Sequence, residues 1–404
     1  MLKKPDFREA RDCLLSKVTP IGTQSVELSE AYGCILAHEL VALENIPPFD
    51  RSPYDGYAFR AEDTFAATKE SPVTLTVLEE VPAGAVPTKT VVPGTATKIL
   101  TGAPIPDGAD AVCKYEETVF TPETVTLMKP YRKGDNIVVT GEDVCKGTVL
   151  AERGMRMDTG ISGTLASQGE VTPTVFKKLR VGIISTGNEV IEADEALTPG
   201  KIRNSNRHTL EHALHHAGME PVYMGLAGDD VSNIARLIQE GLSSCDAVLL
   251  TGGVSVGDYD LTPDAMDMAG VEILIRGVDL KPGMACAYGA KDGKLVCGLS
   301  GNPASALTNF YCVALPVLKK MAGWREYIPQ EITVRLKNGF SKKSKGTRIL
   351  RGRLDLSDGT VGMILPKDQG NVVLSSTMGC DVMAIVPAGS GALPEGTMLK
   401  GFVL

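Results

Sequence analysis

Residues Asp246–Gly270 read DAVLLTGGVSVGDYDLTPDAMDMAG. An apolar run enters a glycine-rich turn and a helix-like segment follows, the repeating unit of an α/β sheet. The turn itself, TGGVSVGDYD from Thr251 to Asp260, has glycine at 252, 253 and 257, where a tight turn needs one as a rule. That excess implies close approach of the backbone to something. Carboxylates at Asp258 and Asp260, beside exposed amides, imply that a cation accompanies it.

Working outward, the same alternation holds from Leu179 to Gly323. RVGIIST, PVYMGLA and DAVLL read as strands, and IRNSNRHTLEHALHHAG, VSNIARLIQEGLSS and LTPDAMDMAG carry helices. ACAYGAKDGKLVCGLSG reads as a hairpin turning at Asp292 and Gly293, and ASALTNFYCVALPVLKKMAG closes the unit as a helix. A parallel-rich sheet with helices on its faces is predicted. Beyond Trp324, whose indole reads as packing, the short runs ITVRL, RILRGRL, VGMIL, VVLSS and VMAIV predict a C-terminal barrel or sandwich. Upstream, residues 1 to about 50 read as short helices and connectors ending in ENIPPFDRSPYDGYAF. The β-branched runs PVTLTVL, TVTLM and NIVV, punctuated by Gly and Pro, mark a small β unit, and ISGTLASQG turns helical again. The β unit is therefore inserted into a discontinuous helical domain. The expected domains are 1–50 with 140–177, 51–139, 178–325 and 326–404, a multidomain α/β plus β chain.

At 404 residues the chain exceeds one compact core, and ordinary domain size predicts about two to four domains. Apolar residues make up 43% and charged ones 22%, a composition that folds. The net charge of −8 excludes a nucleic-acid surface, and SKKSKGTR near Lys342 reads as a solvated loop. Nine cysteines without a C-x-x-C pair exclude a zinc ribbon and a thioredoxin-type motif and fit reduced thiols. The N-terminal stretch lacks the apolar core of a signal peptide, and FYCVALPVL is interrupted by proline. A soluble, cytoplasmic protein with no membrane contact is expected.

In an open parallel sheet, ligands bind outside the carboxyl ends of the strands. The loops expected there carry Glu189 in GNEV, Asp229 and Asp230 in GDD, the opening motif, and SGNPAS. Several carboxylates thus meet glycine-lined backbone, with Gly252, Gly253, Ser255 and Gly257 in one loop and Ser300, Gly301, Asn302, Pro303 and Ser305 in another. Carboxylates repel a phosphate unless a hard cation bridges them, which points to a Mg²⁺-assisted site for a phosphorylated ligand. Lys281 of KPG and Arg276 supply positive charge for an anion. The plainer reading of each loop alone is a turn with a helix cap; their coincidence on one edge favours a site. Ser255 reads as a binding hydroxyl, since no histidine is placed to activate it. No G-x-x-x-x-G-K-[ST] or G-x-G-x-x-G occurs. HTLEH, from His208 to His212, matches a zinc-peptidase pattern, but Leu210, Ala213, Leu214 and Ala217 share the opposite, apolar face, so the histidines point to solvent.

PPFDRSPYDGYAF, TGAPIPDGADAV, GEDV, ISTGNEV, TGGVSVGDYD, KPG and SGNPAS, in that order, resemble the molybdopterin molybdenumtransferase (MoeA) family, related to the E domain of gephyrin. The resemblance spans nearly the whole chain. It implies a helical elongated N-terminal domain with an inserted β domain, a molybdopterin-binding α/β domain and a C-terminal β-barrel, assembled as a homodimer in which one subunit's N-terminal half completes the other's cleft. It implies adenylylated molybdopterin and molybdate as substrates, AMP as product and Mg²⁺ as cofactor. Glu189, Asp229 and Asp260 match the family's acidic active-site positions and are the implied Mg²⁺ ligands, while Asp55, Thr101 and Asp143 match functional positions of the N-terminal half. Pro282 and Gly283 join Lys281 among the implied substrate-binding residues. Molybdopterin adenylyltransferase and molybdoenzyme maturation factors are the implied protein partners.

The chain departs from the family where basic residues are common. Val138 and Val139 precede GED, Met284 and Ala285 follow KPG, Gly277 stands four before Lys281, and Asn188 replaces a frequent aspartate. Tungstate preference, a molybdopterin adenylyltransferase-like activity and a non-catalytic molybdopterin-binding scaffold therefore stay open beside molybdenum insertion.

Overall fold

The computed structural model describes residues 1–254 and 261–404; Ser255, Gly257 and Asp260 lie outside the described residues. By contact, the chain forms two compact units: Met1–His38, Arg153–Thr159 and Thr172–Leu404, and Glu39–Glu152 with Gly160–Val171.

The first unit is built on a seven-stranded sheet of β1 (Leu2–Lys3), β2 (Arg180–Thr186), β3 (Glu220–Ala227), β4 (Ala247–Thr251), β5 (Glu272–Arg276), β6 (Ala287–Lys291) and β7 (Lys294–Leu299), in the order β1-β5-β6-β7-β4-β2-β3. Strands β3, β2, β4 and β7 are parallel, and β6 runs antiparallel between β5 and β7. The near-continuous apolar runs of β2 and β4 follow from burial on both faces. Val181, Ile183 and Leu249 pack with α1 (Phe7–Leu15), α2 (Ser205–His216) and the helix that begins as α5 (Pro303–Asn309). Ile184, Val248 and Leu250 pack on the other side against α3 (Val231–Ser244) and α4 (Leu261–Met268). Burying a single Leu or Ile of this kind is worth about 1.5–3 kcal/mol.

The ends of these elements follow from local chemistry. Asp230 caps α3, its Oδ1 accepting from Ser232 N–H at 2.8 Å and Asn233 N–H at 3.3 Å. Gly218, at φ 76°, stops α2: its N–H bonds His215 O and that of Met219 bonds Leu214 O, the pairing of a Schellman cap. After α5 the helix passes through a π turn at Phe310–Ala314 before Leu315–Met321, consistent with Pro316, which has no N–H to donate. The hairpin turns at Asp292 and Gly293, φ 51° and 78°. Along α2, Leu210, Ala213, Leu214 and Ala217 are buried while His212, His215 and His216 are exposed.

Three expectations need correcting. The N-terminal segment, read with the helical domain, packs on the central sheet: β1 extends it beside β5, and Phe7, Ala10 and Leu14 share its core. VVLSS is no strand; Leu374–Thr377 is a 3-10 turn, because Val372 is exposed and no alternation buries one face. The C-terminal barrel is closed instead by Ile332–Leu336, Gly362–Ile364, Arg348–Asp355, Val382–Val386 and Met398–Val403. In the second unit a six-stranded sheet runs 111–114, 56–59, 95–99, 73–81, 124–127, 118–120. NIVV is not part of it and contributes only a bridge from Val138 to Arg51.

Candidate active site

The carboxyl ends of β2, β3, β4 and β7 open onto one cavity of about 860 Å³. From β2 the chain moves to one side for β3 and then returns to the other side for β4, so this edge carries a topological switch point. Glu189, Asp229, Gly252, Gly253, Ser300, Gly301, Asn302 and Pro303 all line the cavity, as the loop positions require. Asp230 is spent as the α3 cap.

Backbone proximity shapes the acidic corner. A Cβ on Gly187 would lie 2.5 Å from Glu189 Oε2, and one on Gly228 would lie 2.7 Å from Asn188 Oδ1. Both glycines leave room for the loop after β2 to meet the loop after β3. There Asn188 N–H donates to Asp229 Oδ2 and Asp229 N–H to Asn188 Oδ1. The glycines of the opening motif have a similar explanation. At Gly252, φ 103°, a Cβ would sit 2.5 Å from Thr186 Oγ1, and at Gly253, φ 61°, 2.8 Å from Thr262 Oγ1. What the backbone approaches there is the neighbouring strand and α4. At Gly301 the nearest atom to a Cβ is 3.6 Å away.

Ser185 and Thr186, within ISTGNEV, end β2 and also line the cavity; Arg203 and Asn204, which lead into α2, and Ser205 and Asn206, which begin it, carried no motif signal. Asn206 Nδ2 donates to Gly301 O at 2.8 Å, while its buried Oδ1 has no partner. The only available signal was position: a polar run at a strand-to-helix junction on the ligand edge. Val372 and Leu374, which give the cavity an apolar wall, had none.

Several expected residues do not line this cavity. Ser305 is buried in α5. Lys281 joins the barrel through its backbone, its N–H donating to Thr347 O and its carbonyl accepting from Ile349 N–H. Gly283 O accepts from Asn309 Nδ2 at 2.7 Å, and Ala285 is the lining residue of that segment.

A second cavity, about 360 Å³, holds a cation the sequence reading did not single out. Arg351 is 1% exposed, and its Nε and Nη1 have no hydrogen-bond partner. Nη2 donates to Gly370 O and Ser376 Oγ, bracing the segment that supplies Val372 and Leu374. Burial lowers the guanidinium's pKa from its ordinary value. His212, His216, Thr209 and Thr377 line the same cavity.

In the second unit, Asp55 Oδ1 accepts from Thr101 N–H at 2.7 Å and from Thr101 Oγ1 at 2.8 Å. The Thr101 amide, then its hydroxyl, hold the Asp55 carboxyl below the usual carboxylate range. Asp143 is exposed in the same unit and its N–H donates to Ile46 O.

Among the described residues no cluster of three acidic, histidine or cysteine side chains is preformed for a metal. Glu189 and Asp229 nevertheless suit Mg²⁺. Their donors are oxygen, both are exposed to the cavity, and Mg²⁺ is commonly held by one or two carboxylates plus substrate phosphates.

Residues 6–169 match the family model described as the MoeA N-terminal region (domain I and II), and residues 182–320 match the probable molybdopterin binding domain. The second range contains every residue named above as lining the cavity at the strand ends except Val372 and Leu374. The chain is 32% identical over 392 residues to a molybdopterin molybdenumtransferase of Staphylococcus epidermidis, covering 97% of this chain and 94% of that one. It is 34% identical over 391 residues to that of Staphylococcus aureus, covering 96% and 93%. The structure of a molybdopterin biosynthesis MoeA protein from Pyrococcus horikoshii superposes with a TM-score of 0.85 at 32% identity, covering 99% of this chain and 100% of that one. The chain belongs to the molybdopterin molybdenumtransferase (MoeA) family, enzymes of molybdenum cofactor biosynthesis.

Proposed function

We propose that this chain inserts molybdenum, delivered as molybdate, into adenylylated molybdopterin and releases AMP with the help of Mg²⁺. The observation that carries the reading is the cavity at the carboxyl ends of four parallel strands, where Glu189 and Asp229 face backbone-rich loops. Glu189 and Asp229 would hold the cation, which would supply charge neutralisation for the pyrophosphate. The amides of Gly253 and Gly301 receive phosphate oxygens, and Arg203 adds positive charge at the rim. Val372 and Leu374 give an apolar surface for the pterin.

Arg351 lies in the second cavity, and its part is to brace, through Nη2, the segment that carries Val372 and Leu374. Little covalent chemistry falls to the protein: positioning and charge stabilisation support cleavage of the phosphoanhydride by water. The reading carries with it a cytoplasmic homodimer that draws substrate from molybdopterin adenylyltransferase and hands product to molybdoenzyme maturation factors.

The test is to incubate the pure protein with adenylylated molybdopterin, Mg²⁺ and molybdate or tungstate, following AMP and metallated pterin. Oxyanion-dependent AMP release is expected, and the preferred oxyanion shows in the rates. ATP consumption with apo-molybdopterin instead establishes the adenylyltransferase reading, and inertness in both mixtures establishes a scaffold.

A further inference from the structure

Behind the cavity wall lies a polar network that the reaction outlined above does not use. The chain from Gly187 to Asn204 forms an arm whose two sides, Val190–Ile191 and Ile202–Arg203, pair in parallel. Ile202 N–H bonds Glu189 O and Asn204 N–H bonds Ile191 O, each at 2.8 Å. The arm therefore carries both Glu189 and Asn204 to the cavity. Glu192, the residue after Ile191, is gripped by two other elements. Tyr223 of β3 donates its hydroxyl to Glu192 Oε1 at 2.5 Å, and Arg207 of α2 donates Nη1 to Glu192 Oε2 at 3.0 Å. Arg207 stacks its guanidinium 3.8 Å from the Tyr223 ring centroid and is held from behind by Glu211 Oε1 at 2.9 Å.

The direction of these bonds settles an otherwise ambiguous amide. A carboxylate only accepts, so Tyr223 must donate to Glu192, which leaves the Tyr223 oxygen as an acceptor. Asn204 Nδ2 donates to it at 3.3 Å and also to Ser185 Oγ at 3.0 Å. Asn204 Oδ1 then accepts from Arg207 N–H at 3.2 Å. Ser185 Oγ, already an acceptor, keeps its proton for Asn204 Oδ1, 3.2 Å away, or for a ligand oxygen in the cavity. Ser185 and Asn204 are 1% and 3% exposed, so solvent cannot substitute for this order, and both line the cavity.

We infer that Tyr223 and Glu192 are positioning residues of the active site: with Arg207 they clamp the arm that presents Glu189 and fix the Asn204 amide so that the Ser185 hydroxyl is available to the substrate's phosphate oxygens. The inference rests on the proposed function.

Four variants test it: Tyr223→Phe, Glu192→Gln, Glu192→Ala and the double variant Tyr223→Phe/Glu192→Ala. Each is measured for kcat and KM of AMP release, for thermal stability, and for Mn²⁺ binding by electron paramagnetic resonance in the presence of AMP. Tyr223→Phe keeps the ring under Arg207 and removes only the hydroxyl. The expected result is a fall in kcat of about tenfold or more, the usual cost of losing an outer partner of a metal site, with KM little changed and weaker Mn²⁺ binding. Glu192→Gln, which still accepts from Tyr223, keeps more activity than Glu192→Ala. The double variant is no slower than the slower single one, because both changes open one clamp. The inference is overturned by wild-type kcat and Mn²⁺ affinity in Tyr223→Phe, by multiplicative losses in the double variant, or by losses fully explained by unfolding. Should the unaltered protein release no AMP, the proposed function fails, and the Mn²⁺ comparison still decides the clamp.

Discussion

Asn188 and Asp229 exchange backbone and side-chain hydrogen bonds across two loops: Asn188 N–H donates to Asp229 Oδ2 at 3.3 Å, and Asp229 N–H donates to Asn188 Oδ1 at 3.1 Å. The pair ties the end of β2 to the end of β3 and leaves Asp229 Oδ1 without a protein donor among the described residues. An aspartate at position 188 would place a second carboxylate at this joint; asparagine accepts the same N–H without the repulsion.

Asp229→Ala removes the carboxylate while Asn188 Oδ1 can still take the N–H of residue 229. Turnover is expected to fall by about 100-fold or more, the scale of losing a group that acts on transition-state charge, with melting temperature little changed. Steady-state AMP release and a thermal scan check both halves; full activity would remove Asp229 from the site.

Gly187→Ala displaces the Glu189 carboxylate without changing the residue at 189. At φ 128° a Cβ would lie 2.5 Å from Glu189 Oε2, so the carboxylate must move. A displacement near 1 Å costs up to about 100-fold in rate, and higher Mg²⁺ should recover part of it. A Mg²⁺ titration of kcat reads this directly.

Arg351→Lys keeps the charge and loses the planar fork. Weakening the Nη2 bonds to Gly370 O and Ser376 Oγ should loosen the segment that carries Val372 and Leu374, so KM for the adenylylated pterin should rise about tenfold, equivalent to one weakened hydrogen bond from a charged group. An unchanged KM would show that Arg351 does not support the apolar wall.

Asp55 titrates below the ordinary carboxylate range because Thr101 donates twice to its anion. The sign follows: the interaction stabilises the fold above the unfolded-state pKa and is lost as pH falls through the lower folded-state value. Thr101→Val removes the hydroxyl but not the amide donor, so the Asp55 pKa should move part of the way back up. Carbon-detected NMR titration of the carboxyl measures it.

The sheet was legible because DAVLL, RVGIIST and PVYMGLA are bounded by glycine and capping residues, so local chemistry and tertiary burial agree. Glu189 and Asp229 were legible for the same reason, since loops at the carboxyl ends of parallel strands must gather on one edge. What stayed hidden depends on contacts distant in sequence. Leu2–Lys3 becomes a strand only because β5 offers a free edge. NIVV has β propensity but lacks a partner beyond Arg51. Arg351 sits within a barrel strand, where spacing gives no hint that its guanidinium is buried without a carboxylate. Spacing alone makes Asp230 equal to Asp229; the resemblance singles out Asp229, and the start of α3 gives the physical reason, one residue being the cap and the other lining the cavity.

The central claim is that Glu189 and Asp229 share one divalent cation beneath a phosphorylated ligand. Crystals grown with Mn²⁺ and AMP test it by anomalous scattering. The account predicts one strong peak within about 2.5 Å of a carboxylate oxygen from each residue, with a phosphate oxygen completing the contact; a peak elsewhere, or the two carboxylates facing separate surfaces, would contradict it.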